Sequence, residues 1–247
     1  QESLDRTFEA TREYAKLLRK HKVKKLRFVA TSATRDAGNR QVFMDGIRDI
    51  LGIEPEVITG DEEAELSFAG AVLAVGADES KTVVFDLGGG STEFVLGTED
   101  GVQAARSVNI GCVRLTERHM ASAPATSDQI QRVEADTDAA IDTVLQSVPL
   151  EKATRAVAVA GTATTIAAAA LGLKTYDSEV INGSSISVDT VQKTAEMLRS
   201  MTREERAALG YMHPGRVDVI GAGATIYARI MTRLREITEG NIGSVTV

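Results

Sequence analysis

The 247-residue chain carries 28 Lys and Arg against 35 Asp and Glu, a net charge of −7, with 43% apolar and 4% aromatic residues. That balance supplies a core large enough for two lobes, and it argues against general nucleic-acid binding, DNA included, unless positive charge is gathered locally. No apolar run approaches the ~20 residues of a membrane span, the opening Gln1-Glu2-Ser3-Leu4-Asp5-Arg6 lacks the regions of a signal peptide, and the single Cys112 suits a reducing cytoplasm.

Leu4, Phe8, Ala15 and Leu18 recur at helical spacing, so residues ~2–21 read as an amphipathic helix. Its end gathers Arg19, Lys20, Lys22, Lys24, Lys25 and Arg27, cations that complement a helix C-terminus. Leu26 to Ala30 reads as a buried strand, Thr31 to Asn39 as a polar loop, Arg40 to about Leu51 as a helix, and Glu56-Val57-Ile58 as a second strand. Thr59 to Glu65 then opens a helix that runs to about Val75. Alternating strands and helices mean parallel strands with ligand-facing loops at their C-terminal ends, where Arg35 and Glu63 both lie. Two strands make a small sheet, so this first lobe, residues 1–79, is expected to want strands from before Gln1.

The second lobe, residues 80–247, begins at Val83-Val84-Phe85-Asp86-Leu87-Gly88-Gly89-Gly90-Ser91-Thr92-Glu93-Phe94-Val95-Leu96, which reads as strand, tight turn, strand. Gly88, Gly89 and Gly90 have no side chain to keep their N–H groups from crowding round an anion, and Ser91 and Thr92 add hydroxyl donors. Asp86 and Glu93 flank the same turn at a distance that suits a hard cation, naturally Mg²⁺. The plainer alternative is a structural turn with local hydrogen bonds. A dinucleotide fingerprint fails at Glu93, where it needs glycine, and no G-x-x-x-x-G-K-[ST] occurs.

A third strand follows over about Val102 to Ile110, then a helix with Leu115 and a long amphipathic one from about Ser127 to Leu145. Ala156 to Ala160 reads as a buried strand turning through Gly161-Thr162-Ala163-Thr164-Thr165 into an alanine-rich helix that Thr162 and Thr164 are placed to cap. Lys174 to Ser185 is a surface excursion, and Ser187 or Asp189 caps the next helix. Arg216 to Ile220 reads as a last strand, turning through Gly221 to Thr225 into the final helix. His21, His119 and His213 have no metal-ligand spacing.

Taken together, Gly60-Asp61-Glu62-Glu63-Ala64, Asp86 to Glu93, Gly161 to Thr165 and His213-Pro214-Gly215-Arg216 resemble the exopolyphosphatase and guanosine pentaphosphate phosphatase (Ppx/GppA) family, through essentially the whole chain. The resemblance implies an α/β, actin-like (ribonuclease H-like) fold of the ATPase superfamily, with 1–79 a partial first lobe and 80–247 the second. It implies a phosphoanhydride hydrolase whose partner is inorganic polyphosphate or guanosine pentaphosphate. By position, Glu63 matches the catalytic glutamate and Arg35 a phosphate-contacting arginine. Asp86 and Glu93 match the residues of the divalent cation, Gly88 to Thr92 the second phosphate loop, and Arg216 an arginine facing the substrate. A homodimer is in keeping with such proteins. The family's first phosphate loop has no counterpart in this sequence, which leaves the activity of the chain by itself open. A guanosine pentaphosphate phosphohydrolase, a non-hydrolytic sensor module for polyphosphate or a nucleotide, and a kinase are the competing readings.

Overall fold

The computed structural model describes residues 2–75 and 80–247, and for 73–75 the backbone only. By backbone contacts the chain divides into two units, one up to Gly60 and one from Asp61 to Val247. The boundary expected between residues 79 and 80 adjoins 76–79, which lie outside the described residues.

In the first unit, α1 (Glu2–Lys20) is amphipathic as its spacing dictates and buries Thr11 and Ala15. It precedes β1 (Val29–Ala30), α2 (Ser32–Asp36), α3 (Arg40–Leu51) and β2 (Glu56–Val57). Phe8 of α1 stacks on Phe43 of α3 with ring centroids 6.3 Å apart. Strand β1 pairs with β2 in parallel, Val29 opposite Glu56 and Ala30 opposite Val57. The strand expected over Leu26 to Ala30 is thus two residues long, because Arg19 to Arg27 carries too much exposed charge to join a sheet. The loop expected over Thr31 to Asn39 contains the short helix α2.

Helix α4 (Gly60–Val75) leads into β3 (Thr82–Leu87), β4 (Thr92–Thr98), β5 (Gly101–Val108), α5 (Cys112–His119) and α6 (Ser127–Leu145). Next come β6 (Arg155–Val159), α7 (Ala160–Ala170), α8 (Ser178–Ile181), β7 (Ser185–Ser187), α9 (Val188–Ser200), α10 (Arg203–Ala207), α11 (Ile220–Ile237) and β8 (Ser244–Thr246). One six-stranded sheet runs in the order β5-β4-β3-β6-β8-β7. Strands β3, β4 and β5 form an antiparallel meander, and β6 joins β3 in parallel and β8 joins β6 in parallel. Leaving aside the short edge strand β7, the meander followed by two parallel strands is the ribonuclease H-like arrangement the family resemblance implies.

The strand expected at Arg216 to Ile220 is not one. Pro214–Arg216 is a 3-10 turn, and α11 begins at Ile220. Val217 and Ile220 are both buried three positions apart, which is helical spacing, and a short apolar run cannot distinguish the two periods. The fifth place in the sheet goes to β8 instead.

Alternation along the strands splits the core in two. Phe85, Phe94 and Leu96 face a large cluster that includes Ile141 of α6, Ile166 of α7, Val191 of α9 and Tyr227 of α11, with the Tyr227 ring 5.2 Å from Phe85. Val84, Val95 and Val157 face the other way and are covered by Ala64, Phe68 and Ala71 of α4. A capping box of Thr126 and Gln129 starts α6, and Ser187 caps α9 as expected, its hydroxyl accepting from Thr190 N at 3.2 Å. Among the described residues no helix is long and apolar enough to cross a membrane.

Candidate active site

The face beneath α4 carries two successive rows across the sheet. Ala105, Val95, Val84 and Val157 form an apolar row under Phe68; one pleat further on, Ser107, Glu93, Asp86 and Val159 stand in register. The second row lies where β3 ends, so the apolar row seats the helix and the polar row is set beneath its first turns. Ser67 of α4 donates to Asp86 Oδ2 at 2.5 Å. Glu63, one turn earlier, lies close enough for its charge to act on Glu93, and its Oε2 is screened from solvent. Ser107 donates to Glu93 Oε1 at 2.7 Å, and Ser91 also hydrogen-bonds that carboxylate.

Glu93 is thus buried within reach of two other carboxylates, Asp86 opposite it and Glu63 of α4. Burial pushes Glu93 up to about 7, against the pull of the Ser107 and Ser91 hydroxyls and with a further push from the Glu63 and Asp86 charges. Asp86 is raised by burial and pulled back by Ser67. Buried carboxylates in this condition ionise readily only when a positive charge joins them. Among the described residues no three His, Cys, Asp or Glu side chains could hold a metal ion by themselves. Asp86 and Glu93, hydrogen-bonded by the hydroxyls of Ser67, Ser91 and Ser107, offer hard oxygen donors of the kind that could hold Mg²⁺ if water and phosphate oxygens completed its shell.

The glycine turn beside this row is held by its carbonyls. Cys112 N donates to Gly88 O, and Val113 N and Arg114 N to Gly89 O, each at 3.0 Å, while Arg114 Nε donates to Gly90 O at 2.6 Å. The first turn of α5 thus takes up the turn's acceptors. A Cβ on Gly111 would lie 2.3 Å from Gly89 O, so this approach requires glycine there. Among the described residues no carbonyl accepts from the N–H of Gly89, Gly90 or Ser91, which leaves successive donors for an anion.

The hydroxyls of the turn do other work. Thr92 is fully buried and donates to Ile110 O at 2.8 Å, which ties the turn to the end of β5, so the expectation that it offers a hydroxyl to a ligand is corrected. Ser91 is 2% exposed and its hydroxyl serves Glu93.

Arg216 approaches from another side. Its Nη1 donates to Thr165 Oγ1 at 3.2 Å, and it acts electrostatically on Cys112, whose backbone holds the glycine turn. No carboxylate pairs with it among the described residues. Thr162 hydrogen-bonds the Cys112 thiol and Thr164 donates to Gly161 O at 3.3 Å, so neither caps α7 as expected. Arg35 belongs to the first unit, on α2, where its Nη1 donates to Ile58 O at 2.7 Å. Of the histidines, His119 meets Asp136 at 2.8 Å and His213 Nδ1 accepts from Gly215 N at 3.1 Å.

Residues 1–244 match the model of the Ppx/GppA phosphatase family. This chain belongs to that family. Ppx/GppA relatives include a Mycobacterium tuberculosis protein named exopolyphosphatase 2, which is 45% identical over the whole chain and 78% of its own length. A protein from Photobacterium profundum named guanosine-5'-triphosphate,3'-diphosphate pyrophosphatase is 32% identical over 58% of this chain and 27% of its own length. Among Ppx/GppA structures, a crystallised exopolyphosphatase-like protein superposes with a TM-score of 0.96 at 44% identity, over all of this chain and 80% of the other. An exopolyphosphatase from Cytophaga hutchinsonii superposes with a TM-score of 0.86 at 26% identity, over all of this chain and 78% of the other.

Sequence reading missed Ser67, Ser107 and Thr165. Each had a signal: Ser67 lies four residues after Glu63 on one helix, Ser107 lies at the polar end of the third strand, and Thr165 lies four after Gly161.

Proposed function

We propose that this protein is an exopolyphosphatase, hydrolysing the terminal phosphoanhydride of inorganic polyphosphate with the aid of Mg²⁺. One observation carries the reading: Glu63 comes within electrostatic reach of Glu93, which stands opposite Asp86 across a turn where, among the described residues, no carbonyl accepts from the N–H of Gly89, Gly90 or Ser91. Kinship with a full-length relative of that name supports it.

Phosphoryl transfer asks for positioning and neutralisation more than for covalent chemistry. The N–H groups of Gly89, Gly90 and Ser91, with Gly88 shaping the turn, hold the terminal phosphate, and Arg216 binds its oxygens as a planar fork. Asp86 and Glu93 would hold a divalent cation, which when bound would supply charge neutralisation to the phosphate oxygens. Glu63 orients a water and accepts its proton as the water oxygen attacks the terminal phosphorus and the bridging oxygen departs with the shortened chain. A single cysteine suits a cytoplasmic setting.

The test is phosphate release from polyphosphate, guanosine pentaphosphate and ATP, each with Mg²⁺. Fastest release from polyphosphate bears the reading out. Preference for guanosine pentaphosphate moves the assignment to the alarmone, faster ATP hydrolysis to an ATPase or kinase, and tight binding of polyphosphate without release to a sensor.

A further inference from the structure

We infer that Thr165 and Gly161 are positioning residues that fix the guanidinium of Arg216 against the first turn of α7. The inference rests on the reading of Arg216 as a substrate-binding arginine.

Thr165 is fully buried and its hydroxyl has a forced direction. Its one proton goes to Gly161 O at 2.8 Å, so only lone pairs remain to face the Arg216 Nη1–H at 3.2 Å. A Cβ placed on Gly161 would lie 2.4, 2.5 and 2.6 Å from Nη2, Nε and Cζ of Arg216. Contact with three guanidinium atoms at once means that the plane lies across the Gly161 Cα, and any side chain there would lift it away. The preceding Ala160 has φ of +74°, a left-handed conformation that is unfavourable for a residue with a Cβ. That backbone turn brings Gly161 directly out of β6 into the helix, so the slot is built into the strand-to-helix junction.

No carboxylate holds Arg216 in place among the described residues, and a half-buried guanidinium without one has many rotamers to explore. The Thr165 lone pair and the bare Gly161 Cα select one of them while leaving the other N–H groups of the fork for phosphate oxygens. Thr165 touches Arg216 and has no place in the chemistry itself.

The test is a double-mutant cycle read as kcat and KM for polyphosphate phosphate release in Mg²⁺, with Tm as a control. Arg216→Ala should raise KM by about 10- to 100-fold, the loss of a charge-assisted phosphate contact. Thr165→Val, which removes the hydroxyl and keeps the shape, should raise KM roughly 5-fold, Thr165→Ser should restore it to within about 2-fold, and Gly161→Ala should approach the Arg216→Ala value. In the Arg216→Ala background, Thr165→Val should do nothing more. A Thr165→Val effect of equal size in both backgrounds, or none in the parent while Arg216→Ala is impaired, would overturn the positioning role and leave the substrate reading intact. An Arg216→Ala protein with unchanged KM would instead overturn the substrate reading, and the positioning role with it. Gly161→Ala can fail to fold, and the Thr165 pair then decides alone.

Discussion

Asp86 and Glu93 stand directly opposite each other on antiparallel β3 and β4, and because opposed residues share a face, both carboxylates project beneath α4. Two acids on one buried face oppose each other's ionisation. Burial raises Glu93 from 4.5 to about 7, and the Glu63 and Asp86 charges add smaller pushes in the same direction.

The cost has a sign that can be measured. In the absence of a divalent cation the folded state keeps the Glu93 proton up to about pH 7 while the unfolded chain loses it near 4.5, so stability falls as pH rises through that window. The full penalty above pH 7 is of order 3 kcal/mol. Glu93→Gln should flatten the slope of urea-unfolding stability between pH 4.5 and 7, and saturating Mg²⁺ should reverse it in the parent. A slope that is the same in parent and variant would count against burial holding Glu93 protonated in the folded state.

Ser107 lends its hydroxyl to the ionised form of Glu93. Ser107→Ala should raise the Mg²⁺ concentration for half-maximal activity by about 3- to 10-fold with little change in kcat at saturation, since a hydrogen bond to a charged group is worth ~1.5–3 kcal/mol and water recovers part of it. Mg²⁺ titration of activity checks this.

Gly111 permits α5 to grip the glycine turn, since a Cβ there would lie 2.3 Å from Gly89 O. Gly111→Ala should cost about 1–3 kcal/mol of stability and displace the turn, with phosphate release reduced at least about 10-fold even where the protein remains folded. Denaturant unfolding and the phosphate assay on the same sample separate the two effects.

Away from the site, Asp138 of α6 accepts from Arg229 at 2.7 and 2.8 Å and from Arg233 at 3.1 Å, which ties α6 to α11. Burial works to raise its carboxyl, but the hydrogen bonds and charges of the two arginines outweigh it and hold the group below its ordinary 3.8. Its stabilisation is present above pH ~3.8 and is lost as pH falls through the lowered value. Asp138→Asn should destabilise by about 0.5–1 kcal/mol at neutral pH, leave KM for polyphosphate unchanged, and narrow that gap in acid.

Much of this architecture could be read from residue order. The β3–β4 hairpin, the amphipathic α1 and α6, and the buried β6 follow from periods of two and 3.6 and from the breaks that glycines impose. Other features follow from long-range packing that no local pattern encodes. Arg216 to Ile220 is five residues, too short to separate the two periods, and it folds as a turn leading into the final helix with Val217 and Ile220 both in the core. Ser244–Thr246 is too short to announce itself as a strand and becomes one by pairing with β6 and β7. At the site, Asp86 and Glu93 were identifiable by residue type and Glu63 only through the family resemblance, but the commitment of the Thr92 hydroxyl to Ile110 O depends on where β5 ends, which is a property of the folded sheet.

The central claim is that Glu63 acts on a water beside the Asp86 and Glu93 pair while the glycine turn and Arg216 bind substrate. Its most direct test compares the parent with Glu63→Gln for polyphosphate binding and for Mg²⁺-dependent phosphate release. The account predicts release lowered by ~10²–10⁴-fold with binding within about 3-fold of the parent. Release that persists at the parental rate in Glu63→Gln would contradict it.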